Sequence, residues 1–146
     1  MLHLARTKTD AIIGTADTAT NATAQHTIDT LGYAYASIDV IAGPAASTSS
    51  VFQTLTLTES DASTGTYSTV SGFSGDLKPA AYAGQTATDA MTVSRLDVDL
   101  RGKKRYLRVV ASPNTDTVIV VSARLGRGEA GPVDATGKGV KVSVES

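Results

Sequence analysis

The sequence predicts an all-β fold: an antiparallel β-sandwich or jelly roll with an extended N-terminal arm. Three observations predict it. Apolar and polar side chains alternate along most segments, as they do in half-buried strands. Turn-forming clusters of Gly, Pro, Asn, Asp and Ser recur roughly every ten residues. No strand–helix alternation of the kind that builds a parallel sheet occurs.

The chain divides into three predicted parts. Residues 1–30 are rich in Thr and Ala and predict an extended arm that could supply an edge strand. Residues 31–126 carry the strands of the sandwich. Residues 127–146 combine a Gly-rich connection with a C-terminal strand, VKVSVES, in which every second residue is Val. With 146 residues in total and no cysteine, the chain has room for one modest core and no disulfide.

The predicted strands follow one another in the sandwich part. The first three are YAYASIDVIA (33–42), VFQTLTLTES (51–60) and TYSTVSGF (66–73). In the first of these, the even-numbered residues Ala34 to Ala42 share one apolar face. In the second, Val51, Leu55 and Leu57 share a face. The last three are MTVSRLDVDL (91–100), RYLRVVAS (105–112) and TVIVVSARLG (117–126), the last nearly all apolar and predicted to be central and covered on both faces.

A basic cluster spans the connection between the fourth and fifth of these strands and the start of the fifth. It comprises Arg101, Lys103, Lys104, Arg105 and Arg108. A type II′ turn at Gly102 would join the strands in a hairpin that sets Asp97 opposite Arg108 and buries one apolar face. The cluster is then the solvated tip of the hairpin. Contact with an acidic patch on a partner protein is one alternative, and contact with nucleic acid is another, although few aromatic residues lie beside it to stack on bases.

No arrangement of residues indicates catalysis. His3 and His26 are the only histidines, and both fall in the predicted arm, in polar surroundings. Glu59 and Asp61 lie near a turn, but a calcium site needs more oxygen ligands than they offer. We therefore predict no enzyme activity, no metal and no cofactor. The formal net charge of −1 gives little attraction to nucleic acid or to an anionic membrane, and no apolar run is long enough to span a bilayer.

Four segments in order carry a resemblance to a known group of proteins: Ile28–Val40, Leu55–Thr64, Leu96–Val110 and Ala123–Arg127. In this order they resemble small virion proteins of tailed bacteriophages, the capsid decoration or cement proteins. The resemblance implies a β-sandwich or jelly-roll module, often oligomeric, on the outer surface of the capsid over joints between major capsid proteins. It implies the major capsid protein as partner, a homo-oligomer, and neither nucleic acid nor membrane as a target.

Candidate contact residues lie in the arm and at the predicted hairpin tip. They are Leu2, Leu4, Ile12 and Ile13 in the arm, and Arg101, Lys103 and Lys104 at the tip. An alternative function is a tail- or neck-associated structural protein, or a carbohydrate- or receptor-binding module. For the latter, Tyr33 and Tyr35 could stack on sugars, although they could equally pack beneath the arm or against a neighbouring subunit.

Overall fold

A computed structural model describes residues 8–13, 23–43, 52–75, 77, 91–113 and 117–126. These residues form two antiparallel four-stranded sheets and no helix. The strands are β1 Lys8–Ile13, β2 Ala24–Asp29, β3 Tyr35–Ala42, β4 Phe52–Ser60, β5 Ser68–Thr69, β6 Thr92–Asp99, β7 Tyr106–Pro113 and β8 Ile119–Gly126. The first sheet has the order β1-β8-β3-β6 and the second β2-β7-β4-β5. The all-β class and a sandwich-like pair of sheets are confirmed, whereas the jelly roll and the arm stay predictions.

Strand β3 has the predicted faces. Ala36, Ile38, Val40 and Ala42 are fully buried, and Tyr35 on the opposite face is exposed. The small inner residues lie beside large ones, since Ala36 is opposite Val98 on β6 and Leu125 on β8. Alternation of small and large side chains lets the two sheets pack closely around a core drawn from both.

Strand β8 is central, as predicted, but only one of its faces is fully covered. Ile119, Val121, Ala123 and Leu125 belong to the core, while Arg124 on the other face is exposed. β8 lies between β1 and β3. The prediction of two covered faces was wrong. The second face of β8 is the outer face of the sheet, so the nearly all-apolar sequence did not require cover on both sides.

Strand β4 contains an irregularity that shifts its apolar face. Leu55 and Leu57 are fully buried, as predicted, but the next buried residue towards the N-terminus is Phe52. The pairing with β7 shifts between Phe52 and Thr54. The extra residue, Gln53, breaks the period of two and brings Phe52 into the core. Val51 lies outside the described residues.

The predicted hairpin of β6 and β7 is wrong. β6 pairs with β3 in the first sheet, whereas β7 pairs with β2 and β4 in the second. The connection at residues 100–105 therefore crosses from one sheet to the other. Both strands bury an alternating apolar face, Leu96 and Val98 on β6, Leu107 and Val109 on β7. These faces belong to opposite walls of the core, and alternation alone does not distinguish that arrangement from a hairpin.

Parts of the predicted arm enter both sheets. β1 pairs with β8 and β2 pairs with β7, each as an edge strand. Ile28 on β2 is fully buried. His26 is also buried, at 5% exposure, opposite Val109, so its surroundings are not those of an exposed polar segment. The remainder of residues 1–30, including Leu2 and Leu4, and the C-terminal residues 127–146 lie outside the described residues.

Candidate partner interface

The two ends of the described fold differ in chemistry. We call the connections at residues 29–34, 59–67 and 99–105 the charged end. We call the opposite end of the outer face of the first sheet the apolar end; it is formed by Ile41, Met91, Val93, Val118 and Val120. Ile41 is the register partner of both Val93 and Val120, which places these three in one row across β6, β3 and β8.

The basic loop of the charged end begins with a tight turn. The backbone N–H of Lys103 donates to the carbonyl of Leu100 at 3.0 Å. Gly102, the third residue of this turn, has φ of +75°. A positive φ at that position belongs to a type II turn, rather than the predicted type II′. Gly102 thus has the left-handed conformation expected of it, one position later in the turn than predicted.

Most cations of the loop are already paired within the chain. Arg105 donates from Nε and Nη2 to the two carboxylate oxygens of Asp29, at 2.9 and 2.7 Å. Arg101 donates from Nε to Asp99 at 3.0 Å. Lys104 lies 3.6 Å from the carboxylate of Asp61. Asp29 and Asp61 come from distant parts of the chain, whereas Asp99 is only two residues from Arg101, and together the three carboxylates leave the loop with little uncompensated positive charge.

Two further contacts tie the loop to the second sheet. The backbone N–H of Lys104 donates to Glu59 Oε2 at 3.0 Å, and Lys103 Nζ donates to the carbonyl of Ser71 at 3.1 Å. Glu59 and Asp61, weighed above as calcium ligands, thus both contact Lys104. The residues that the structure describes contain no cluster of three or more metal-ligating side chains.

The ion pair with Arg105 lowers the pKa of Asp29. Hydrogen bonds from Arg105, and secondarily from the backbone N–H of Leu31, hold the pKa of Asp29 below its ordinary value of 3.8, against the opposing effect of partial burial. The neighbouring Thr30 is 5% exposed, and its hydroxyl donates to the carbonyl of Arg105 at 2.6 Å. The connections 29–31 and 100–105 therefore form one hydrogen-bonded unit.

Arg108 and Asp97 have different partners from those predicted. Arg108 donates to Thr27 Oγ1 and to the carbonyl of Ser63, both at 3.1 Å, and its guanidinium lies 3.6 Å from the centre of the Tyr67 ring. Asp97 accepts a hydrogen bond from the Tyr35 hydroxyl at 2.7 Å.

Side-chain hydrogen bonds lower the pKa of the Asp97 carboxyl; the one with Ser37 has the larger effect and the one with Tyr35 the smaller. Tyr35 is 38% exposed and engaged with Asp97, while Tyr33 is partly buried against the core. Burial raises the pKa of the Tyr33 hydroxyl. The two rings therefore do not form a pair of exposed faces on which a sugar could stack.

The apolar end exposes side chains that a soluble monomer usually covers. Met91 is 62% exposed, Val93 51% and Val118 40%, and the adjoining Ile41 and Val120 are half-buried. Exposed apolar side chains grouped in this way suit a contact surface. This group was not predicted from the sequence. The available signal was the position of Met91 and Val93, two apolar residues on the same face of β6 that carries charged residues further along.

The predicted contact residues that the structure describes do not come together. Ile12 and Ile13 lie at the end of β1 opposite Val121 and Val120, beside the apolar end. Arg101, Lys103 and Lys104 lie at the charged end, on the order of 25 Å away at about 3.3 Å per strand residue. One partner surface of ordinary size would have to run the length of the sheet to touch both groups.

No helix in the described part of the chain is long and apolar enough to cross a membrane. Comparison with known proteins found no matching protein family, no matching curated protein and no matching solved structure.

Proposed function

We propose that the protein is a virion structural protein of a tailed bacteriophage, a capsid decoration or cement protein that binds over joints between major capsid proteins. The observation that carries the proposal is the apolar end: Met91, Val93 and Val118 are exposed at one end of the outer face of the first sheet. The ordered resemblance of the strand segments supports the same role. The protein acts by binding, without catalysis or a cofactor, on the outer surface of the capsid.

The proposed mechanism is stabilisation of the assembled shell. A subunit that binds the joint between two capsid proteins, and not the separated proteins, shifts the equilibrium towards the assembled state by mass action. Weak contacts repeated over a shell then add up through multivalency. The apolar end supplies the buried contact with the capsid protein.

The charged end suits a surface that faces solvent or the polar rim of the contact. Arg105, Arg101 and Lys104 each lie beside a carboxylate of the same chain. Internal pairing weakens the field that a phosphate backbone or an anionic lipid surface would need. The partner we propose is therefore a protein, and neither nucleic acid nor a membrane.

Binding to heads that lack the protein tests the proposal. The purified chain is added to shells assembled from a major capsid protein of the same phage, and bound protein is measured by co-sedimentation. We expect saturable binding and a higher temperature of shell disruption. Absence of binding to shells, combined with binding to isolated tails or to a glycan array, would replace the proposal by the tail or carbohydrate alternative.

A further inference from the structure

Strand β6 forms one edge of the first sheet. The backbone N–H of Leu100, one residue beyond β6, donates to the carbonyl of Ala34 at 3.0 Å, which has the phase of a hydrogen-bonded pair of the antiparallel ladder, although the N–H of Ala34 itself donates to Gly126. Because such pairs recur at every second residue, the even-numbered residues of β6 bond to β3. The N–H and C=O groups of Val93, Arg95 and Asp97 therefore point away from β3, and no strand of the described ranges pairs with that side of β6.

The ladder on the other side of β3 supports this assignment. The N–H of Gly43 donates to the carbonyl of Val118 at 3.1 Å, so the odd-numbered residues of β3 bond to β8. The even-numbered residues of β3 are then left for β6, in agreement with the Ala34–Leu100 pair.

The charges along β6 are complementary to β6 itself. Arg95 and Asp97 stand two residues apart on the exposed face and have opposite charge. If a second copy pairs antiparallel with a two-fold axis at Leu96, Arg95 of each copy lies opposite Asp97 of the other. A shift of two residues in one direction sets Arg95 opposite Arg95, and in the other direction it sets Asp97 opposite Asp97; these like charges repel. In the second of these registers Arg95 also faces Asp99, but Asp99 is already bonded to Arg101 of its own chain. A shift of the register by an odd number of residues fails because the outward-pointing N–H and C=O groups of the two β6 strands would no longer lie opposite one another.

The surroundings of the pair also fit this register. Arg95 is held in place by Asp39 of β3, with Nε and Nη2 at 2.7 and 3.1 Å from its two carboxylate oxygens. In the paired arrangement, Arg95 would lie between Asp39 of its own chain and Asp97 of the other. Leu96, the one residue on the axis, is a core residue that keeps 7% of its surface exposed, and it would lie against its own copy.

We propose that β6 is the site of self-association: two copies join edge to edge in antiparallel register about Leu96 and form one continuous eight-stranded sheet. The addition of a strand to a free edge is a common mode of recognition, and a two-fold axis makes the contact self-complementary. The proposal does not depend on the capsid function and would hold for any role of the protein.

The first experiment measures mass and its response to charge reversal. Sedimentation analysis of the full chain should give twice 15.0 kDa for the wild type. In D97R, residue 95 of one copy and residue 97 of the other are both Arg. In D39N/R95D they are both Asp, and the D39N change prevents Asp39 from lying opposite the new Asp of the same chain. Each variant alone should be monomeric, and a mixture of the two should form a heterodimer, because opposite charges face each other again.

The matched control is R124E, which reverses an exposed charge on β8, away from the edge. This variant should remain dimeric. A wild-type mass of 15.0 kDa, a D97R protein that stays dimeric, or an R124E protein that dissociates as readily as D97R would overturn the proposal.

Amide hydrogen exchange on the wild type gives a readout that needs no variant. In the dimer, the amides of Val93, Arg95 and Asp97 should be protected, and dilution to monomer should make them exchange quickly. Protection of these amides in a monomeric sample would mean that another part of the same chain covers the edge, and this too would overturn the proposal.

Discussion

Replacing the exposed apolar side chains of the apolar end should weaken binding to undecorated heads and leave the fold intact. The variant M91Q/V93T/V118T exchanges each side chain for a polar one of similar size. Because these residues are already largely exposed, substitution removes little core contact, and each change should alter the free energy of unfolding by no more than about 0.5 kcal/mol.

The exposed fractions give the size of the binding effect. Complete burial of a Val or Met side chain is worth about 1.5–3 kcal/mol. Met91, Val93 and Val118 have 62%, 51% and 40% of their surface left to bury. Each therefore contributes about 1 kcal/mol if the partner covers it, or about 3 kcal/mol together. Since 1.4 kcal/mol is a factor of ten in affinity, the triple variant should bind roughly 100-fold more weakly.

A binding isotherm by co-sedimentation with heads measures this change. The control is L31Q, because Leu31 is 64% exposed but lies at the charged end. L31Q should bind as tightly as the wild type. Unchanged affinity of the triple variant, or an equal loss in L31Q, would refute the assignment of the apolar end as the contact surface.

Three further predictions concern stability. The pairing lowers the pKa of Asp29 in the folded state, so it stabilises the fold above the unfolded-state pKa, and this contribution is lost as pH falls below about 4. The free energy of unfolding, measured by chemical denaturation at a series of acid pH values, should therefore fall less steeply with decreasing pH in R105Q than in the wild type. Equal slopes in the two proteins would contradict the pairing. A36L should destabilise the protein by about 1–3 kcal/mol by overpacking, measured by urea unfolding, whereas a neutral effect would show a looser core. T30V removes the hydroxyl hydrogen bond to the Arg105 carbonyl and should lower the free energy of unfolding by about 1 kcal/mol, a fall of roughly 3 °C in Tm. The loss is no larger because that carbonyl still accepts from the backbone N–H of Thr30. An unchanged Tm would mean that the hydroxyl bond contributes nothing.

The sequence predicts the buried faces of the strands well and their neighbours poorly. Alternation in β3 correctly placed Ala36 and Ile38 inside, because which side is buried is a local property of period two. The same alternation in β6 and β7 fits a hairpin and a crossover between sheets equally well. The choice between them depends on pairing with β3 and with β2 and β4, which lie far away in the chain.

The candidate interface was predictable only in part. The basic loop is visible in the sequence, but its neutralisation is not, since Asp29 and Arg105 are 76 residues apart. The bulge that brings Phe52 into the core leaves no clear mark in the alternation around it. The apolar end forms only when β6, β3 and β8 are placed side by side, so Met91 and Val118 look unrelated until the sheet order is known.

An image of the intact virion, with the protein located in it, tests the central claim most directly. We expect density for the 15.0 kDa module on the outside of the head, over joints between major capsid proteins, with the apolar end turned towards the shell. Density in the tail, inside the head or nowhere in the particle would contradict it.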